Sequence, residues 1–131
     1  MTETKLNILV IDDEEEIREV LHAYLSMQFK ANVKTTENAK DTITYAIENN
    51  VDLFLVDLEM ETPGIELIKN IRKIEKYKKT PILVISAHDS ADNRMDSLLS
   101  GAFTFISKPI DFDKLSVTIK TLMSSWCPPT H

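Results

Sequence analysis

Short, continuous apolar runs alternate along this chain with longer segments in which apolar residues recur every three or four positions. The short runs are rich in β-branched residues and are bounded by polar or turn-forming residues, which together predict strands. Residues 6–11, 53–56 and 82–85 predict buried strands. Residues 32–36 predict a short, weaker strand, and residues 103–106 predict the last one.

The longer segments have the spacing of amphipathic helices. Gly101 stands where a left-handed helix cap belongs, and Pro128 with Pro129 prevents a helix from continuing. Five helices are predicted: residues 14–29; a second that includes 39–47 and is ended by Asn49 and Asn50; a third that includes 65–74 and begins after Pro63 and Gly64; residues 89–100; and residues 111–126.

The elements form five strand–helix units, which predicts an α/β fold. Because the strongest runs are apolar throughout instead of alternating, the sheet is expected to be parallel and covered by helices on both faces. Such sheets bind ligands beyond the carboxyl ends of their strands, near the point where the strand order reverses. The polar residues that follow the strands are therefore the candidates for a functional site.

Length and charge narrow the function. The 131 residues fit one domain, residues 1–131, with a core at about 5–125 and a C-terminal tail at 126–131. A formal net charge of −6, without a concentrated basic face, argues against direct nucleic-acid binding. No apolar run approaches the length of a membrane span, and Cys127 is the only cysteine, so a cytoplasmic protein with no membrane contact is expected.

Polar residues follow four of the five predicted strands at the same relative place. Asp12 and Asp13 follow the first strand, Asp57 the third, Ser86 the fourth and Lys108 the fifth. In a parallel sheet all of them converge on one edge. Each alone has a simpler interpretation: an Asp after a strand is often a helix cap, a serine a turn residue and a lysine solvated surface.

Taken together, these residue types indicate a particular chemistry. Carboxylates in one pocket raise one another's pKa values unless a cation balances them. An acidic site made of oxygen ligands suits Mg²⁺, and an aspartate in it can act as a nucleophile toward phosphorus. The Lys108 ammonium would neutralise charge on a transferred phosphoryl group, and the Ser86 hydroxyl could donate a hydrogen bond to it.

Four segments resemble the signature segments of response-regulator receiver domains, in matching order and spacing from about Lys5 to about Ser125. They are residues 11–14, 55–60, 85–87 and 101–109. The resemblance implies a doubly wound, five-stranded parallel sheet in the order 2-1-3-4-5 with five helices, the flavodoxin-like or CheY-like fold. It also implies a cis peptide bond between Lys108 and Pro109.

The resemblance assigns roles to the residues at the strand ends. Asp57 would be the phosphoacceptor, Lys108 would contact the phosphoryl group, and Ser86 would be the switching hydroxyl. Mg²⁺, for which Mn²⁺ could substitute, would be bound by four groups: the side chains of Asp12, Asp13 and Asp57, and the main-chain carbonyl of Glu59.

Phe105 falls at the aromatic switch position of the family. Without a hydroxyl, it would switch by packing alone, turning into space that Ser86 vacates on binding phosphate. The alternative is a plain core aromatic that shares a face with Phe103. Glu59 and His88 stand two residues after the acceptor and two after the switching hydroxyl, where they would tune the aspartyl-phosphate lifetime; the alternative is that both are solvated loop residues.

Two features leave alternatives open. The loop after Asp57, residues 58–64, has its proline displaced and looks one residue short for the family. The last predicted helix carries an apolar stripe made of Phe112, Leu115, Ile119, Leu122 and Trp126. The stripe is expected to face the core. It also fits a homodimer face built from the fourth and fifth elements.

The favoured function is a phosphoacceptor switch, not a turnover enzyme. It would take phosphate from a sensor histidine kinase or histidine phosphotransfer protein and pass a signal to a downstream protein target or output domain. One alternative is a haloacid-dehalogenase-like phosphatase, although that class has Asp-x-Asp where this chain has the adjacent pair Asp12 and Asp13. The other is a receiver-like scaffold that acts by binding alone.

Overall fold

A computed structural model describes residues 5–124 of the chain. Five parallel strands form one sheet in the order β2-β1-β3-β4-β5, which confirms the predicted fold. The strands are β1 (Asn7–Ile11), β2 (Asn32–Thr36), β3 (Leu53–Val56), β4 (Ile82–Ser86) and β5 (Thr104–Ser107).

The helices follow the strands in alternation, with one short 3-10 helix before β4. They are α1 (Glu15–Phe29), α2 (Ala39–Glu48), α3 (Gly64–Arg72), the 3-10 helix (Glu75–Tyr77), α4 (Ala91–Ser100) and α5 (Phe112–Leu122). Within residues 5–124, none of these helices has the length and apolar character needed to cross a membrane.

The sheet separates two hydrophobic clusters, so its central strands are buried on both faces. On one face, Phe54 of β3 packs among side chains of α2 and α3, including Ala46 and Leu67. On the other face, Leu55 packs with α1 and α5 through Leu25 and Leu115. Because consecutive side chains of a strand point to opposite faces, double burial requires an unbroken apolar run, the pattern seen in the sequence.

Several predicted element boundaries are wrong. The third helix ends at Arg72 instead of including residue 74, and the fourth begins at Ala91 instead of residue 89. The last strand begins at Thr104, one residue late, and Phe103 is 49% exposed whereas Phe105 is buried, so the two rings do not share a core face. The last helix ends at Leu122, before the predicted end at residue 126. Leu115 and Ile119 of its apolar stripe are buried in the core, while Trp126 lies outside the described residues.

One half-buried cation organises the amino end of the sheet. Arg72, at the end of α3, donates from Nη1 to the carbonyls of Tyr77 and Thr80 at 2.7 Å each, and from Nη2 to that of Gly101 at 2.6 Å. Gly101 ends α4 with φ at 126°, as the sequence predicts, and a Cβ there would lie 2.8 Å from Arg72 Nε. Only glycine therefore allows the approach. We call this set the Arg72 clamp.

Candidate functional site

The backbone itself brings the candidate residues to the carboxyl edge of the sheet. Parallel hydrogen bonding continues one residue past the strands: the amide of Asp57 donates to the Ile11 carbonyl at 3.0 Å, and that of Asp12 to the Thr36 carbonyl at 3.2 Å. The amide of Lys108 donates to the Ser86 carbonyl at 2.9 Å. The convergence expected from the sequence therefore occurs.

Lys108 lies among carboxylates. Its Nζ is 2.9 Å from Asp12 Oδ2, 3.4 Å from Glu14 Oε1 and 3.6 Å from Asp57 Oδ2, and its side chain is only 11% exposed. Burial alone would lower the pKa of Lys108, but the Asp12 carboxylate, helped by Asp57 and Glu14, outweighs it and raises that pKa above its usual value. The side chain is thus a permanent cation, not the solvated surface lysine of the simpler interpretation. The Lys108–Pro109 peptide bond is cis, as the resemblance implied.

Asp57 is the most perturbed carboxylate of the site. It is 2% exposed, and burial raises its pKa from 3.8 to about 6. The Glu59 amide, which donates to Asp57 Oδ1 at 3.1 Å, lowers the pKa, Asp12 raises it, and Lys108 lowers it by a smaller amount. Asp57 is therefore mostly ionised at neutral pH but has less positive charge around it than its burial requires.

Four acidic side chains form one cluster at this edge. One carboxylate oxygen from each lies within 4.8 Å of the others, and the four are Asp12, Asp13, Glu14 and Asp57. All four ligand atoms are oxygens, and Asp12 and Asp57 are buried whereas Asp13 and Glu14 are exposed. Such a site fits a hard divalent cation that keeps several water ligands on its exposed side. Asp12 Oδ1 also accepts a hydrogen bond from the Glu14 amide at 2.9 Å. The residue at the N-cap position of α1 is Glu14, so Asp12 is not the cap of this helix.

Glu14 is a cluster member that the sequence reasoning missed. A signal was present, because the acidic run 12–14 follows the strand directly and a third carboxylate so close to the strand end remains within reach of the site. The Glu59 main-chain carbonyl, expected as a further metal ligand, stays a prediction.

Ser86 is engaged by an acidic side chain across the site. Its hydroxyl donates to Glu59 Oε1 at 2.9 Å, and the same oxygen accepts from the amides of Ala87 at 3.0 Å and His88 at 3.2 Å. His88 Nε2 lies 3.0 Å from Glu59 Oε2. Burial would raise the pKa of Glu59, but the Ser86 hydroxyl and the His88 ring lower it below its usual value. We call these four residues the Glu59 clasp.

Phe105 lies in the core, two positions before the end of β5. Its backbone pairs with Val84, and Ser107 pairs with Ser86. The Arg94 guanidinium of α4 covers the ring at 5.0 Å from its centroid and donates to Ser107 Oγ at 2.9 Å. The inward position of Phe105 fits both interpretations of this residue, and its switching role stays a prediction.

The irregular loop after Asp57 closes tightly onto α3. The Gly64 amide donates to the Leu58 carbonyl at 3.1 Å, and a Cβ on Gly64 would lie 2.5 Å from the Asp57 carbonyl oxygen. Glycine is therefore required at the start of α3. Leu58 and Met60 pack partly against the core, which fixes the path of the loop that the sequence left open.

The sequence matches the response regulator receiver domain family over residues 8–120. Among solved structures, chemotaxis protein CheY4 of Vibrio cholerae superposes with a TM-score of 0.86 at 24% identity, covering 90% of this chain and 98% of that one. The receiver domain of the Francisella response regulator 1452 superposes with a TM-score of 0.82 at 26% identity, covering 92% and 98%.

Two curated relatives are longer than the matched region. The chain is 36% identical over 121 residues to the transcriptional regulatory protein ResD of Bacillus subtilis, covering 92% of this chain and 48% of that protein. It is 30% identical over 116 residues to the response regulator protein PilR of Pseudomonas aeruginosa, covering 88% and 25%. The chain thus spans about half the length of these relatives, or less.

Proposed function

The chain belongs to the response regulator receiver domain family of two-component systems, and we propose that it is a switch that accepts a phosphoryl group on Asp57. The observation that carries the proposal is the buried, mostly ionised Asp57 carboxylate, 3.6 Å from the Lys108 ammonium and inside the acidic cluster. An ionised aspartate beside a cation, at the open edge of a parallel sheet, is suited to nucleophilic attack on phosphorus.

The proposed donor is a phosphohistidine on a sensor histidine kinase or a histidine phosphotransfer protein. A carboxylate oxygen of Asp57 forms a bond to phosphorus as the bond from phosphorus to the histidine nitrogen breaks. The bonding electron pair leaves with the imidazole, and Asp57, already deprotonated at neutral pH, releases no proton. The Lys108 ammonium offsets negative charge on the phosphoryl oxygens during the transfer.

Asp12, Asp13 and Asp57 would hold Mg²⁺, with the Glu59 main-chain carbonyl as a further ligand and Glu14 beside them. When bound, the ion supplies positive charge to the phosphoryl oxygens and to the carboxylates that Lys108 alone does not neutralise. The all-oxygen composition of the cluster supports this choice, and Mn²⁺, which favours the same ligands, could substitute.

The signal would be passed on by repacking. We propose that the Ser86 hydroxyl donates a hydrogen bond to the phosphoryl group and that Phe105 responds by packing alone. The position of Glu59 and His88 beside Ser86 supports their assignment to the lifetime of the aspartyl phosphate. The downstream partner is a protein target or an output domain. The chain is similar to about half the length of ResD, which is named a transcriptional regulatory protein.

A homodimer through α4 and α5 belongs to the same proposal. Apolar side chains of Met95 and Leu99 on α4 and Val117 on α5 are exposed, which supports a protein contact at these elements. Sedimentation of the phosphorylated and unphosphorylated chain would test it, and a monomer in both states would contradict it.

The deciding experiment for Asp57 is intact mass after incubation with Mg²⁺ and acetyl phosphate. We expect one addition of about 80 mass units in the wild type and none in Asp57→Ala or without Mg²⁺. No addition, even with a cognate kinase, would contradict the proposal and favour a binding-only scaffold, whereas turnover of a generic phosphate ester would favour the phosphatase.

A further inference from the structure

The Glu59 clasp occupies hydrogen-bond donors that a phosphoryl group on Asp57 would use. We propose that the Glu59 carboxylate competes with that group for the Ser86 hydroxyl, so that the clasp must open when the chain is phosphorylated. The inference rests on the proposed function, because it concerns the same phosphoryl group, and it adds an internal inhibitor to the site.

The clasp is built as an anion site with its anion already in place. One oxygen, Glu59 Oε1, accepts from the Ser86 hydroxyl and from the amides of Ala87 and His88, at 2.9, 3.0 and 3.2 Å. Successive backbone amides that point at one spot form a concavity that binds anions. Here a side chain of the same chain fills it.

The clasp lies next to the acceptor. The amide of Glu59 donates to Asp57 Oδ1 at 3.1 Å, so the residue that fills the anion site is tied to the acceptor through its own backbone. On the neighbouring strands, Val56 pairs with Val84, which places Ser86 just beyond the level of Asp57. A phosphoryl group on Asp57 therefore finds Ser86 as a neighbour.

The two anions cannot share the serine. A hydroxyl carries one proton and donates one strong hydrogen bond, and the Ser86 proton is directed at Glu59 Oε1. A phosphoryl oxygen that accepts from Ser86 must therefore replace Glu59 Oε1 as the acceptor of this hydrogen bond. The displaced carboxylate then loses the hydrogen bond from Ser86, so clasp and phosphoryl binding oppose each other.

Competition differs from simple repulsion between Glu59 and the incoming charge. Repulsion requires only a nearby negative charge and is indifferent to the Ser86 hydroxyl. Competition requires that hydroxyl, so removing Glu59 and removing Ser86 must have coupled effects.

The main test measures the affinity for beryllium fluoride, a tetrahedral stand-in for the phosphoryl group, with Mg²⁺ present. We expect Glu59→Ala to bind it about tenfold more tightly, the factor that corresponds to one lost hydrogen bond of a charged group. Glu61→Gln is the matched control, since it removes one charge from the same loop at an exposed position and is expected to stay within about twofold of wild type.

The coupling is measured in a Ser86→Ala background. If Glu59 competes for the hydroxyl, the gain from Glu59→Ala falls to about threefold or less there. An equal gain in both backgrounds would leave only repulsion and would overturn the inference.

A readout without metal or phosphoryl analogue tests the clasp itself. In the free chain, Glu59→Ala should shift the amide resonances of Ala87 and His88, whereas Glu61→Gln should not. Unshifted amides, or unchanged beryllium fluoride affinity, would overturn the inference while phosphorylation of the wild type in the mass experiment still upheld the proposed function. If no variant, including wild type, bound the analogue or gained phosphate, both would fail together.

Discussion

Arg72 at the amino end of the sheet and Lys108 at the carboxyl end are both half-buried cations, and they differ in the groups that surround them. At the amino end, the Arg72 guanidinium is met by the neutral carbonyls of Tyr77, Thr80 and Gly101. At the carboxyl end, the Lys108 ammonium is met by the carboxylates of Asp12, Asp57 and Glu14.

The difference separates a structural cation, Arg72, from Lys108, the cation that we propose takes part in phosphoryl transfer. The carbonyls around Arg72 satisfy its donors while fixing α3, α4 and the start of β4 to one another, and burial lowers the pKa of Arg72 without any charge to compensate it. Around Lys108, negative charge is in excess, and the raised pKa of Asp57 reflects first its burial and then the nearby Asp12 carboxylate. The contacts at the amino end thus stabilise the fold, whereas the carboxyl end is left short of positive charge, which suits the proposed metal and phosphoryl group.

The largest effect should come from the structural cation. Arg72→Met keeps the length of the side chain but leaves three carbonyl groups without their donor, and we expect the free energy of unfolding to fall by about 3 kcal/mol in urea titrations. Lys73→Met, on the exposed neighbour, is the control and should change little. A loss below about 1 kcal/mol for Arg72→Met would remove the contrast between the two ends.

Mg²⁺ should stabilise the functional end by nearly as much. At about 100 times its dissociation constant, the ion is expected to add about 2.7 kcal/mol to the free energy of unfolding, seen as a rise in Tm. Asp12→Asn should lose most of this increment, because it removes a buried carboxylate of the cluster. Arg72→Met should keep it in full, since the Arg72 clamp lies at the other end of the sheet; loss of the increment in that variant would contradict the separation.

The raised pKa of Asp57 predicts that the free energy of unfolding depends on pH, with a smaller effect than the two above. Because the folded-state pKa is raised from 3.8 to about 6, the folded chain holds the proton more tightly, so stability falls as pH rises through that interval. Without Mg²⁺ at pH 7, Asp57→Asn should therefore be more stable than wild type by about 1 to 2 kcal/mol, after allowance for solvent screening.

The gain of Asp57→Asn should vanish toward pH 4, where the wild-type carboxyl is itself protonated in the folded chain. Asp96→Asn removes the same charge from an exposed position on α4 and serves as the control. An equal gain in both variants, or a gain at pH 7 that persists at pH 4, would show that Asp57 is not specifically short of positive charge.

The smallest effect concerns the outer member of the functional end. Glu14 is 3.4 Å from Lys108 Nζ but 62% exposed, so Glu14→Gln should lower the free energy of unfolding by only about 0.3 kcal/mol. Thermal unfolding measures it. A loss above about 1 kcal/mol would mean that the exposed carboxylate supports Lys108 as strongly as the buried ones do.

Sequence reasoning worked where backbone geometry alone decides the outcome. The apolar runs indicated a parallel sheet, and a parallel sheet brings the residues after its strands to one edge, which is why Asp12, Asp57 and Lys108 were predicted to lie together. It failed where side chains reach across loops: the contact between Glu59 and Ser86 depends on the path of residues 58–64. Phe103 was misassigned because a run of alternating apolar residues does not reveal where a strand begins.

The parallel hydrogen bonds that extend past the strand ends divide the site into a part whose amide hydrogens exchange slowly with solvent and a part whose amide hydrogens exchange fast. The amides of Asp12, Asp57 and Lys108 are bonded to carbonyls of neighbouring strands, so their hydrogens exchange with solvent only when the sheet opens. The amides of Ala87 and His88 are bonded to a carboxylate on a loop and exchange through local motion. Asp57, Lys108 and Asp12 thus keep their places, while Ala87 and His88 in the Glu59 clasp remain free to move.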